Sequence, residues 1–201
     1  AFGALLLSVA LWEQTGWGWS ALRTGVAIAP GPLLVPITSL LFSGRLIARY
    51  GAAAVVTAGI AIFAAGLMYA AAAFTLQPSL FAAVIIMILS GIGVGLTFPT
   101  LMGVSAGSLP PSAFATGSGV INMIRQAALA IGVAIFVAII GTPASPAERL
   151  AAFHRGWWVM AGITALGLLP TLFLIAAPRR ETRAEPAPAM ATVPTNGSCR
   201  A

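Results

Sequence analysis

AAAVVTAGIAIFAAGLMYAAAAF, Ala52–Phe74, is built almost entirely from Ala, Val, Ile, Leu and Gly. Wound as an α-helix, about 20 such residues cross a hydrocarbon core of about 30 Å. Comparable runs lie on both sides of it. Working outward, the sequence predicts six membrane segments: a partial one at Ala1–Trp12, then about Gly25–Phe42, Ala52–Phe74, about Leu80–Val104, about Ala113–Ile140 and about Trp157–Ala177. The second contains Pro30, Pro32 and Pro36. In water these would argue against a helix. Inside a bundle, neighbouring helices and local distortions can satisfy the carbonyls that they free. Ala1–Trp12 makes roughly 18 Å of helix, short of the hydrocarbon core, so the chain is expected to begin within its first membrane helix, truncated. It has neither the basic flank nor the cleavage site of a signal peptide. The expected fold class is all-α membrane.

Composition agrees. Of 201 residues, 59% are hydrophobic and 7% charged, and the mean hydropathy is +1.00. A soluble domain carries about 25% charged residues, so this chain has too little polar surface to solvate a compact body. The net charge of +6 comes from ten Arg and four Glu, with no Lys or Asp. Nucleic-acid binding is not expected, because the arginines are spread over short loops rather than gathered with aromatics on one face. Cys199, the one cysteine, lies in a polar tail and permits no internal disulfide. Residues 178–201 are rich in Pro, Ala, Arg and Thr and are expected to be a disordered tail beyond a membrane domain of residues 1–177.

The positive-inside rule orients the chain. With the connection after the second segment on the cytoplasmic side, that side receives Arg45, Arg49, Arg179, Arg180 and Arg183, against Arg23, Arg149 and Arg155 outside. The tail is then cytoplasmic. Glu13 and Glu148 face outward, with Trp17, Trp19, Trp157 and Trp158 near the outer interface, where amphipathic rings are favoured.

Three stretches stand out. In "SGIGVGLTFPT" of the fourth segment, Gly91 and Gly95 form a small-xxx-small pair and Pro99 follows. Such spacing lets another backbone approach closely. It fits either tight packing or a helix that lines a pathway and bends at Pro99. Arg125 lies in the fifth segment, where a cation near the bilayer centre costs roughly 2.5–3.5 kcal/mol. Ser118, Asn122, Arg125 and Gly132 recur at helical spacing on one stripe, expected to face the protein interior or an aqueous cavity. Arg125 then either holds a neighbouring helix, or contacts a substrate or takes part in a switching charge pair, and in the functional cases Arg125→Ala impairs activity more than folding. Third, "SGRLIARYG" brackets Arg45 and Arg49 between Gly44 and Gly51. It suits a tight cytoplasmic turn, acting as a topology anchor or a gating latch.

Catalytic signals are absent. His154 is the only histidine, read as solvated in a polar loop with Arg149 and Arg155. No second His, Asp or Cys cluster is available for a metal site. No serine has a plausible base beside it, and no Gly-Lys-Ser/Thr follows the glycine-rich stretches. Neither enzyme activity nor a cofactor is expected.

Taken in order, "GWSALRTGVAIAP" (Gly18–Pro30), "GRLIARYG" (Gly44–Gly51), "GIGVGLTFPT" (Gly91–Thr100) and "ATGSGVINMIRQAALAIGVAI" (Ala115–Ile135) resemble the C-terminal six-helix half of the major facilitator superfamily, in its fourteen-helix drug/proton antiporter branch (QacA/EmrB type). The resemblance covers roughly residues 1–177. It implies a six-helix half-bundle in the plasma membrane and export of small amphipathic or cationic compounds in exchange for protons, by alternating access. It also implies a missing N-terminal half as partner. The first and fourth segments, flanked by the second and fifth, would form one cavity wall, with the uniformly apolar third and sixth toward lipid. Ala48 stands where the family's loop motif usually has Asp, so a latch using that carboxylate is not available. A standalone or remnant six-helix membrane protein with a structural or regulatory role and no transport, or an uptake permease of the same superfamily, remains the alternative.

Overall fold

The computed structural model describes residues 1–107, 110 and 114–176; the expected tail, residues 178–201, lies outside them. Among the described residues the chain is helical and has no strand. Helix α1 is Phe2–Thr15. Three short helices, α2 (Ala21–Ile28), α3 (Pro30–Thr38) and α4 (Gly44–Tyr50), join through a π-helical turn at Ser39–Ser43 into one second span. Then come α5 (Ala52–Ala73), α6 (Leu80–Gly107), α7 (Phe114–Ile140), α8 (Pro146–Leu166) and α9 (Leu168–Ala176). Five segments are long and apolar enough to cross a membrane: Ala21–Tyr50, Ala52–Ala73, Leu80–Ser105, Ala115–Ile140 and Pro146–Phe173. They match the second to sixth expected segments, and α1 is the shorter first.

Two boundaries differ from the sequence reading, and local chemistry explains both. The second span is longer at each end than Gly25–Phe42. Ser20 caps its start, its hydroxyl accepting from Arg23 N at 3.4 Å. Its far end runs through "GRLIARY", so the turn expected between Gly44 and Gly51 is helix until Gly51 alone reverses the chain with φ 86°. The last span begins at Pro146, not Trp157. "SPAE" is a variant of the capping box with proline in the first turn: Ser145 Oγ accepts from Glu148 N at 3.2 Å, and Glu148 Oε2 accepts from the N–H of Ala144, one residue before the cap, at 3.0 Å. Arg149, His154 and Arg155 are therefore helical rather than in a loop. His154 is also half-buried, its Nε2 2.8 Å from the carbonyl of Phe74 at the end of α5.

The proline-rich second span stays helical by changing its winding. Immediately after Pro36 the helix opens into the π turn Ser39–Ser43. Thr38 and Ser43, five residues apart, are both buried, and the i→i+5 winding brings them closer to one face than an α-helical one would. Both meet α6: an added Cβ at Gly95 would lie 3.0 Å from Thr38 Cβ, and Ser43 Oγ donates to Gly95 O at 3.4 Å.

Glycines on α6 set the helix spacing. A Cβ on Gly93 would stand 2.7 Å from the Gly59 carbonyl, and one on Gly59 would stand 2.8 Å from the Gly93 carbonyl, so α5 and α6 cross backbone to backbone. Gly91 and Gly95 do the same toward α3, facing the carbonyls of Gly31 and Val35. α6 is thus the most enclosed span and α7 the least. α5 packs between α6 and α8 and buries Val55, Phe63, Leu67 and Ala70. It is more enclosed than uniform apolarity alone suggested.

One end of the bundle is held by an aromatic cluster. Trp157 packs edge-on to Phe74 at 5.1 Å and against Phe153 at 5.6 Å, while Trp17 stacks near Trp19 and Phe74 at 4.9 and 5.0 Å. Trp157 Nε1 donates to Ser8 Oγ at 2.9 Å and Trp17 Nε1 to Thr75 O at 2.7 Å. Trp17, Trp19 and Trp157 are buried, and of the four expected interfacial tryptophans only Trp158 is exposed. The internal partners of Trp17 and Trp157 account for their burial, because a tryptophan whose N–H is satisfied inside the protein need not reach toward water.

Candidate binding cavity

Four helices of the bundle and α1 diverge around a cavity of about 540 Å³. α1 contributes Phe2 and Leu6, the second span Pro32 and Val35, and α5 Ile60 and Phe63. α6 supplies Gly93, Val94, Thr97, Phe98 and Leu101, and α7 supplies Arg125 and Leu129. A concave, mostly apolar site of this size with few polar groups has the ordinary form of a small-molecule site.

Among the described residues, Arg125 is the only charged one on this wall. Asn122, one turn earlier on α7, fixes its orientation: Asn122 Oδ1 accepts from Arg125 Nε at 3.2 Å and from a terminal nitrogen at 2.7 Å. The guanidinium lies 5.3 Å from the ring centre of Phe98, within cation–π range. Thr97, the other polar side chain on the wall, turns its hydroxyl back to Gly93 O of its own helix at 2.8 Å. The guanidinium therefore supplies the cavity's charge.

The structure brings some of the sequence candidates together and separates others. Arg125 and Asn122 form one unit. Ser118 shares their helical stripe but not the cavity wall. Gly91 and Gly95 are occupied by packing against α3, and it is Gly93 between them that reaches the cavity. Pro99 borders a second cavity of about 280 Å³ with Ser43, Ile47, Thr100 and Gly103. Gly44, Arg45, Arg49 and Gly51 lie on or just beyond α4 and line neither cavity. Arg45 donates to Leu41 O at 2.7 Å and the Arg49 guanidinium lies 5.4 Å from the Tyr50 ring, both within the same helical stretch.

Sequence reasoning missed three features. The third segment contributes Ile60 and Phe63 to the wall, which no polarity signal distinguishes from lipid-facing residues. Phe98 and Phe2 were hidden for the same reason. Glu13, expected to face outward, is fully buried, and neither carboxyl oxygen has a hydrogen-bond partner among the described residues. The buried Thr24 hydroxyl is close enough to act on it, yet neither group completes a well-shaped hydrogen bond. Among the described residues no group of three His, Cys, Asp or Glu could hold a metal.

In comparison with known proteins, the family model described as Major Facilitator Superfamily matches residues 1–196. No curated protein and no solved structure matches.

Proposed function

Because the chain belongs to the Major Facilitator Superfamily, a family of membrane transporters, we propose that it works as the C-terminal half of a proton-coupled exporter of small amphipathic compounds. The observation that carries this reading is the apolar cavity of about 540 Å³ with a single oriented guanidinium on its wall. An apolar enclosure accepts the body of an amphipathic molecule, and one fixed polar group orients its head. In this reading an N-terminal half forms the opposite wall, facing the largely exposed α7 and second span. Rocking of the two halves opens the cavity to each side of the plasma membrane in turn. The Arg45 and Arg49 end and the tail are cytoplasmic, and the aromatic end faces outward.

Gly91, Gly93 and Gly95 suit this motion, since at these positions α6 approaches the backbones of α3 and α5 closely, with no side chain of its own in between. Ser118, Asn122, Arg125 and Pro99 belong to the pathway in this proposal, Pro99 by loosening α6 beside the second cavity.

The test uses energised membrane vesicles containing the whole transporter. Proton release from the vesicle on adding an amphipathic substrate supports antiport. Inward flux driven by the substrate's own gradient makes the protein an uptake permease, and no movement of either overturns the transport reading.

A further inference from the structure

Resting on the reading of this cavity as the binding site, we propose that its occupant is an amphipathic anion, an apolar body bearing a carboxylate head, and not a cation. The argument is one of charge. The wall is apolar except for Arg125 and Thr97, and the Thr97 hydroxyl is already spent on Gly93 O. Arginine has five N–H donors and no acceptor. Asn122 Oδ1 takes hydrogen bonds from two of its nitrogens, which fixes the fork but cancels none of its net charge. The Phe98 ring at 5.3 Å brings no net charge either.

The two carboxyl side chains among the described residues, Glu13 and Glu148, do not line the cavity, and Glu148 is committed to the start of α8. The described wall therefore presents one uncompensated positive charge in apolar surroundings. There, attraction to an anion is stronger than in bulk water, and repulsion of a second cation is strengthened equally. A carboxylate can also accept two guanidinium hydrogen bonds side by side. On this wall a cationic head would meet the guanidinium with no carboxylate from the described residues beside it.

The experiment measures equilibrium binding to the whole transporter in discs of zwitterionic phosphatidylcholine. The probes share one body and differ in the head: naphthylacetate, naphthylacetamide and naphthylmethyl-trimethylammonium, each radiolabelled. The expected order is carboxylate, amide, ammonium, with the carboxylate at least about tenfold tighter than the ammonium. Arg125→Gln removes this order and Arg125→Lys keeps its direction. The wild-type order needs no variant, so a poorly folding Arg125→Gln leaves the test intact. Equal binding of the three probes, or tighter binding of the ammonium, overturns the anion assignment while leaving the cavity as a site. Absence of binding by all three overturns the cavity reading and the inference with it. Displacement of naphthylacetate by phosphatidylglycerol at low mole fraction makes the occupant a lipid and overturns the small-molecule assignment. Binding is read without a proton gradient, so failure of antiport in vesicles leaves this order unaffected.

Discussion

Ser43 donates its hydroxyl to the carbonyl of Gly95, 3.4 Å away across the interface between the second span and α6. That carbonyl is the one to which residue 99 would donate in an α-helix, and residue 99 is proline, with no N–H to give. One helix thus repairs the hydrogen bond that another has lost, and the π turn Ser39–Ser43 brings the hydroxyl to the right face. The general tolerance of prolines in membrane bundles takes a specific form here.

Ser43→Ala is expected to destabilise the protein by about 0.5–1 kcal/mol, the range of interhelical hydrogen bonds in membranes. In a Pro99→Ala background, where residue 99 regains its N–H, the same change should cost clearly less. A double-mutant cycle on thermal unfolding in detergent checks this. Equal costs in both backgrounds would show that the two residues are uncoupled.

The glycines divide into those whose missing Cβ matters and those where it does not. Gly93→Ala forces apart a crossing where a carbonyl lies 2.7 Å from the new atom, and should cost about 1–3 kcal/mol. Gly44 has open space around it, so Gly44→Ala should stabilise its helix by about 0.5–1 kcal/mol. Gly51→Ala should be unfavourable by about 1–3 kcal/mol through its positive φ, although it too is in the loop motif. Midpoints of the three variants, measured side by side, give the ranking.

Glu13 is buried, and among the described residues neither carboxyl oxygen completes a well-shaped hydrogen bond, the nearby Thr24 hydroxyl included. Glu13→Gln keeps the shape and removes a group able to carry a charge, which apolar surroundings penalise. The unfolding midpoint of Glu13→Gln should equal or exceed that of the parent. A drop of several degrees would mean that the carboxyl has a partner that the described residues do not supply.

Trp158 is 53% exposed whereas Trp157 beside it is fully buried. In bilayers containing brominated lipid, Trp158→Phe should remove most of the quenchable tryptophan fluorescence. Trp157→Phe should leave quenching unchanged but lower stability by about 1–2 kcal/mol, through loss of the hydrogen bond to Ser8. Strong residual quenching in Trp158→Phe would return the other tryptophans to the lipid interface.

Much of the architecture was legible because long apolar runs have a single stable form in lipid. Leu80–Val104 and Ala113–Ile140 differ little from α6 and α7 where the chain is described. The errors fell where short polar signals compete with hydropathy. The capping box at Ser145 and Glu148 starts α8 well before the apolar run begins, and the helical "GRLIARY" hid behind two glycines of which only one turns. At the candidate site, Arg125 and Asn122 were readable because a charge in an apolar stretch is conspicuous and their i, i+3 spacing puts them on one face. Phe63 and Phe98 were not, since an aromatic that lines a cavity and one that meets lipid look alike in sequence.

The sequence by itself determined that this chain is a helical membrane protein and that Arg125 shares a stripe with Asn122, because hydropathy and helical period are local properties. Only the tertiary structure decided that Gly93 rather than Gly91 or Gly95 reaches the cavity, that Glu13 and Trp157 are buried, and that Ser43 answers Pro99. Each of these depends on which face of one helix meets which face of another, and among helices apolar on every side the hydrophobic pattern carries no record of that choice.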